Sequence, residues 1–151
     1  MNKEIKIELY DYCLRYIENL IALNKNALCG AQSAANDETK STAGDKHDTA
    51  RAMKQLETEA FGKRLNETMV QYKRLQLIDA TREYNRVQPG ALTLTSLGNF
   101  FVSTSADEMI INGTEYCMIS TESPIYQTMQ GCTAGSTFSF REKMVTVYEV
   151  M

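Results

Sequence analysis

Apolar residues recur every three or four positions through most of the first half of the chain. In the first stretch these positions are Ile5, Leu9, Tyr12, Tyr16, Leu20, Leu23 and Ala27. Alternating steps of three and four are the period of an α-helix with an apolar stripe narrow enough for the seam between two helices. Cys13, Ile17 and Ile21 widen the stripe, so we expect part of this face to meet a second surface.

The pattern stops between residues 30 and 48. Residues 30–36 are small and polar, and residues 37–48 contain no large apolar side chain. Residues 42–45 are typical of a turn into a helix start, with Asp45 as the N-cap. The helical pattern then resumes at Met53, Leu56, Ala60, Phe61, Leu65, Met69, Tyr72 and Leu75. The interval drifts near Gly62, where we expect a local irregularity.

The two periodic stretches predict a helical hairpin. Helices of about 30 and 38 residues joined by a short polar turn must run antiparallel, and each spans roughly 45–55 Å at 1.5 Å per residue. We therefore expect residues 1–85 to form an antiparallel coiled coil. Its acidic tip, residues 36–48, is expected to project into solvent, away from the rest of the chain.

After Pro89-Gly90 the sequence becomes rich in short β segments. Asn112-Gly113 is a hairpin turn signal, and Ser123-Pro124 is typical of the start of a short helix, here predicted over 125–130. The predicted strands cover residues 92–95, 100–103, 109–119 as a hairpin, 137–140 and 144–150. Residues 86–151 are therefore predicted to form a compact β-sheet domain with a short helix, which makes the whole chain α+β.

Composition narrows the classes of function. The chain has 151 residues and a net charge of −3, so it has no bulk electrostatic attraction for nucleic acid. That argues against a free nucleic-acid-binding module but not against a factor that docks on another protein. No apolar run approaches the roughly 20 residues of a membrane span, and the first residues do not resemble a secretory signal. We expect a cytoplasmic protein without a membrane partner.

Four cysteines and one histidine do not favour a zinc site. The cysteines are widely separated and form no CxxC pair, whereas structural zinc is usually held by closely spaced pairs. We interpret them as reduced thiols that act as small hydrophobic residues.

The predicted tip is dense in carboxylates: Asp37, Glu38, Asp45 and Asp48. Asp45 and Asp48 are three residues apart, so they lie on one turn of a helix. Carboxylate oxygens suit a hard divalent cation, but two or three of them leave most of its coordination sphere open. Such a pair would add ligands to a metal site supplied by another protein, as two-metal phosphodiester hydrolysis requires. Acids at a helix start also stabilise the helix dipole, and the two interpretations are compatible.

Two segments resemble motifs of the Gre family of bacterial transcript-cleavage factors. Residues 44–50, Gly-Asp-Lys-His-Asp-Thr-Ala, are similar to the GD-x-x-E-N-A tip motif of that family. Ser123-Pro124-Ile125, followed by Gly131 and Gly135-Ser136, resembles the SP-[IL]-x-x-x-L-x-G-x-x-x-G-[DE] signature of its C-terminal domain, which has an FKBP-like fold. The segment 145–150 is similar to the final strand of that domain. The resemblance covers nearly the whole chain in the same order.

The resemblance implies a transcription elongation factor that binds RNA polymerase through its secondary channel and contacts the RNA 3′ end. Asp45 and Asp48 would be the catalytic tip acids, holding a Mg²⁺ shared with the polymerase active site, while the isolated protein binds no cofactor. The factor would stimulate cleavage of backtracked RNA by the polymerase rather than act as an enzyme itself. Asp37 and Glu38 are candidate auxiliary metal ligands, and Arg51 and Lys54 are candidate RNA contacts. The residues expected to dock on the polymerase are Ser123, Pro124, Ile125, Gly131 and Gly135.

Departures from the family pattern leave two alternatives open. Asp48 is one methylene shorter than the usual Glu, and an ångström of misplacement can cost a hundredfold in a positioned reaction. Thr49 and Ser136 also replace family residues. The chain could thus occupy the same channel without cleavage and regulate transcription. The FKBP-like half suggests a prolyl isomerase or chaperone, but the domain lacks Trp, and we interpret its phenylalanines, Phe100, Phe101, Phe138 and Phe140, as core.

Overall fold

A computed structural model describes the backbone of residues 2–39 and 45–151, and the side chains of residues 2–33 and 49–151. The chain divides into two compact units. One comprises the residues up to Tyr16 together with Arg74–Met151, and is called the β unit. The other comprises Ile17–Lys73 and is called the hairpin unit. Over the described residues, no helix combines the length and the apolar character needed to cross a bilayer.

Two long helices supply the hairpin unit, and their outer ends belong to the β unit. Helix α1 spans Asn2–Thr39 and helix α2 spans Asp45–Gln76. Asn24 Nδ2 donates a hydrogen bond to Thr68 Oγ1 at 3.1 Å, and Tyr72 OH donates one to Glu18 Oε1 at 3.5 Å. The residue with the higher number on α1, Asn24, contacts the residue with the lower number on α2, Thr68. The two helices therefore run antiparallel. The predicted helical hairpin is confirmed.

The helix lengths differ from the prediction. Helix α1 has 38 residues and α2 has 32, because α1 continues through the small residues 30–36 and α2 ends early. Three of those small residues are alanines, the strongest helix formers. At the other end, the Asp79 carboxylate accepts hydrogen bonds from the Thr81 amide at 2.9 Å and hydroxyl at 2.6 Å, a local turn that competes with helix. No irregularity interrupts α2 at Gly62.

The buried seam also differs from the predicted stripe. Leu23, Met53 and Leu56 were expected in the seam but are 64–65% exposed. The hydrogen-bonded pair Asn24 and Thr68 lies between the helices instead, with Thr68 buried. Here two polar side chains that hydrogen-bond to each other take the place of apolar contacts. Apolar periodicity alone does not predict such a pair. Leu9 and Leu75 of the predicted stripe are fully buried as expected.

A six-stranded mixed sheet forms the β unit. Its strands are β1 Leu92–Thr95, β2 Asn99–Val102, β3 Met109–Ile111, β4 Thr114–Ile119, β5 Thr137–Phe140 and β6 Lys143–Val150. Helix α3, Pro124–Met129, follows β4. The strand order is β3-β4-β2-β1-β6-β5, with β2 and β4 parallel and the other neighbours antiparallel. The predicted strands and short helix are confirmed to within one residue at their ends, and the α+β class is confirmed.

One face of the sheet carries the main core. Its buried members are Val87, Phe100, Val102, Ile119, Ile125, Tyr126, Met129, Phe138, Val145 and Val147. Phe101 is fully buried but alternates to the other face of β2. There the start of α1 belongs to the same unit: the Cys13 sulfur lies 3.2 Å from Ser103 Oγ, and Tyr10 OH donates to the Leu75 carbonyl at 3.1 Å. The expectation that the Cys13 face meets a second surface is confirmed.

Candidate functional site

The predicted acidic pair lies at the start of α2. The helix begins at Asp45, so Asp45 and Asp48 occupy its first turn, where the exposed backbone amides favour negative charge. The side chains of Asp37, Glu38, Asp45 and Asp48 lie outside the described residues. Their roles as catalytic residues and metal ligands remain predictions.

The backbone gives this turn a defined place within the hairpin unit. Helix α1 ends at Thr39 and α2 begins at Asp45. From Asp45 to Lys73, the end of this unit, α2 rises about 40 Å at 1.5 Å per residue. Because the helices are antiparallel, the acidic turn lies at one extremity of the hairpin unit and Lys73 at the other.

Two candidate RNA contacts follow on α2. Arg51 is exposed, and Lys54 Nζ lies 3.8 Å from Glu57 Oε2, with both side chains substantially exposed. Exposed ion pairs of this kind contribute at most about 1 kcal/mol, so the Lys54 ammonium can exchange Glu57 for a phosphate at little cost. The RNA-binding assignment of both residues remains a prediction.

The predicted docking motif surrounds α3. Ser123 is the N-cap residue, but its hydroxyl donates to the Ser120 carbonyl at 2.8 Å rather than capping the helix. Pro124 begins the helix and is exposed, whereas Ile125 is buried in the core. Gly131 and Gly135 have φ values of +78° and +87°, which glycine adopts without steric cost. The motif thus combines a surface residue with residues that fix the local fold, and its docking role remains a prediction.

A cluster on the β3–β4 hairpin escaped the sequence analysis. Potential ligand atoms of Glu108, Glu115 and Cys117 lie within 4.8 Å of one another. A hydrogen bond from Glu108 raises the pKa of Glu115, and burial, followed by the Glu108 charge, raises the pKa of Cys117 to about 11. Both effects favour the protonated form of the thiol in the metal-free protein. No local motif predicts the cluster, because strand pairing brings its members together.

Lys6 was also missed. It is only 2% exposed, its Nζ donates to the Arg82 carbonyl at 2.6 Å, and it lies 4.8 Å from the centroid of the Tyr84 ring. A lysine near the start of an amphipathic helix is ordinarily a solvated residue. Its burial depends on the segment 80–84, which is about 75 residues away along the chain, so helical periodicity carries no signal for it.

No protein-family model and no curated protein matches the chain. A solved structure described as that of the transcription factor Gfh1 aligns with a TM-score of 0.39 and 12% sequence identity. The alignment covers 91% of this chain and 92% of that one. Likeness at this level leaves the function to be argued from the residues of the chain itself.

Proposed function

We propose that this chain is a Gre-type transcription elongation factor, which enters the secondary channel of RNA polymerase and stimulates Mg²⁺-dependent cleavage of backtracked RNA by that enzyme. One observation carries the proposal: two acids three residues apart, Asp45 and Asp48, lie in the first turn of α2 at the extremity of an antiparallel hairpin. Resemblance of residues 44–50 and 123–136 to Gre motifs supports the same function.

The donor set fits a shared magnesium ion. Mg²⁺ prefers six oxygen ligands in octahedral geometry and keeps several waters. Two carboxylates on one helical turn would therefore supply only part of its ligands, and the polymerase would supply the others. Bound there, the ion would activate water and stabilise the displaced oxygen of the phosphodiester. Asp45 and Asp48 would contribute carboxylate oxygens, and the helix start would hold the two groups in a fixed mutual position.

The length of the hairpin unit supports delivery into a channel. An extremity about 40 Å from Lys73 along α2 gives the acids the reach to enter a narrow channel ahead of the rest of the hairpin unit. The candidate docking residues around α3 belong to the β unit. The β unit would therefore dock on the polymerase, and the hairpin unit would carry the catalytic acids.

Stalled, backtracked elongation complexes test the proposal. The wild-type protein is expected to stimulate the release of short 3′ RNA fragments. With the Asp45→Asn/Asp48→Asn variant, the cleavage rate is expected to be at least about a hundredfold lower, which is the cost of misplacing a group in a positioned reaction. Glu59→Gln/Glu67→Gln, with two exposed acids elsewhere on α2, is the matched control and should keep the wild-type rate. No stimulation by the wild type would contradict the cleavage function.

A second candidate is a channel occupant that does not stimulate cleavage. The shorter side chain of Asp48 favours it, because the second carboxylate falls short of the position that a glutamate would reach. This candidate predicts that wild type and the Asp45→Asn/Asp48→Asn variant inhibit promoter-dependent transcription equally. It also predicts that Asp48→Glu gains cleavage that the wild type lacks.

A further inference from the structure

A cavity of about 250 Å³ lies within the β unit, remote in sequence from the acidic turn. Residues from the start of α1, the segment 80–84 and the end of β6 line it, and it is partly open to solvent. The lining residues include Lys3, Lys6, Arg82 and Tyr84. Glu83 and Glu149 also line it. This volume is slightly below the range of about 300–1,000 Å³ for drug-sized ligands, so the cavity suits a molecule of a few heavy atoms.

Lys6 has incomplete hydrogen bonding for a buried ammonium. The group has three N–H donors, but over the described residues it has one acceptor, the Arg82 carbonyl at 2.6 Å. No carboxylate of the described part of the chain lies within 4.0 Å of it. Burying a charge without a counter-charge is costly. Burial accordingly lowers the pKa of Lys6, although the carboxylates of Asp79 and Glu83 oppose the shift.

Both cationic groups lie near the Tyr84 ring. The Arg82 guanidinium carbon lies 5.5 Å from the centroid of that ring, and Lys6 Nζ lies 4.8 Å from the same centroid. Both cations are thus within reach of a cation–π contact with Tyr84, and all three residues line the cavity. A guanidinium and an ammonium together recognise an oxyanion, the guanidinium by paired hydrogen bonds and the ammonium as a point charge.

We infer that this cavity binds a small organic carboxylate, whose oxygens accept hydrogen bonds from the remaining N–H groups of the Lys6 ammonium and from the Arg82 guanidinium. Glu83 and Glu149 on the same lining favour a singly charged carboxylate over a phosphate, which carries nearly two charges at neutral pH. The apolar lining of Ala80 and Val150 accommodates a short aliphatic body. The inference concerns the β unit alone and does not depend on the function proposed for the acidic turn.

NMR titration of the full chain with butyrate, inorganic phosphate and chloride tests the inference. Butyrate is expected to give saturable shifts at Lys6 and Tyr84, phosphate weaker binding, and chloride no saturation. Lys6→Met, which keeps the length of the side chain, should raise the apparent Kd for butyrate at least tenfold. Arg82→Gln, at an exposed position, should also weaken binding, whereas Lys25→Met on the exposed face of α1 should bind as the wild type does.

The readouts separate binding from folding. Circular dichroism of each variant reports the helical content, and a folded Lys6→Met protein that binds butyrate like the wild type would overturn the inference. Absence of saturable shifts in the wild type would also overturn it, and phosphate binding tighter than butyrate would overturn the assignment to a carboxylate. If the Lys6→Met protein does not fold, the Arg82→Gln variant takes its place: a folded Arg82→Gln protein that binds butyrate like the wild type would overturn the inference.

Discussion

Two threonines on β1 have opposite surroundings. Thr93 is fully buried, and its hydroxyl has no hydrogen-bond partner among the described residues. Thr95 Oγ1 donates to the Gly98 carbonyl at 2.8 Å and accepts from the amides of Leu97 and Gly98 at 3.1 and 3.2 Å. The same substitution therefore has different consequences at the two positions.

Thr93→Val is expected to leave the free energy of unfolding unchanged or to raise it, because valine replaces an unsatisfied hydroxyl with a group of similar shape. Thr95→Val is expected to lower it by about 0.5–1.5 kcal/mol, since it removes a hydroxyl that makes three part-buried hydrogen bonds to the backbone. Urea unfolding of both variants gives the comparison. A larger loss for Thr93→Val than for Thr95→Val would show that the assigned hydrogen bonds are wrong.

Cys13 predicts a pH dependence of stability. Burial raises the pKa of its thiol to about 11 from an ordinary value of 9.0. Between these values the folded state keeps a proton that the unfolded chain has lost, so stability is fully present below pH 9 and declines as the pH rises to about 11. The shift corresponds to roughly 2–3 kcal/mol. Urea unfolding from pH 8 to 11 should show a shallower decline for Cys13→Ala, and an identical slope would contradict the assignment.

For single residues, the sequence predicted the burial of aromatic side chains better than the burial of polar ones. Phe100, Phe101 and Phe138 are buried as expected, and Phe140 is half-buried. Thr68 and Lys6 are buried polar residues whose partners come from distant segments, so local pattern could not reveal their burial. Such exceptions depend on tertiary contacts, and here one of them lines the candidate ligand cavity.

Two glycines distinguish helix propensity from backbone constraint. A Cβ at Gly62 in α2 would meet only Leu28 Cδ1, at 4.0 Å. At Gly90, φ is +94°, and a Cβ would lie 3.1 Å from Ile78 Cγ2 and from the Tyr84 ring. The first position accepts a methyl group in ordinary contact, and the second does not.

Gly62→Ala is expected to stabilise the protein by about 0.5–1 kcal/mol, because alanine has the higher helix propensity. Gly90→Ala should destabilise it by more than about 1 kcal/mol, because its backbone lies in the left-handed region. Thermal unfolding measures both. A loss of stability in Gly62→Ala would contradict the uninterrupted helix at this position.

Element boundaries were predictable where the signal is local. Asn112 and Gly113 have φ values of 52° and 79°, as the primed hairpin turn predicted from their identity requires. Pro124 begins α3 as expected. The end of α2 instead lies just before a turn in which the Asp79 carboxylate accepts hydrogen bonds from Thr81, and the predicted helix length of about 38 residues did not take this turn into account.

For the whole molecule, the sequence predicted a helical hairpin followed by a β domain, and this α+β architecture is confirmed. It also predicted an acidic pair at the turn of the hairpin, where α2 does begin. The sequence did not predict which distant residues surround a given side chain, as for Lys6 and Thr68. The proposed function requires that Asp45 and Asp48 enter the polymerase active centre.

Localised radical cleavage tests this claim most directly. Fe²⁺ replaces Mg²⁺ in the active centre of a backtracked polymerase complex, and the hydroxyl radicals it produces cut the backbone of a nearby end-labelled factor. The proposed function predicts cuts near residues 45–48 and none in residues 86–151, with loss of all cuts when Fe²⁺ is chelated. Cuts confined to the β unit, or none when the factor is bound, would contradict it.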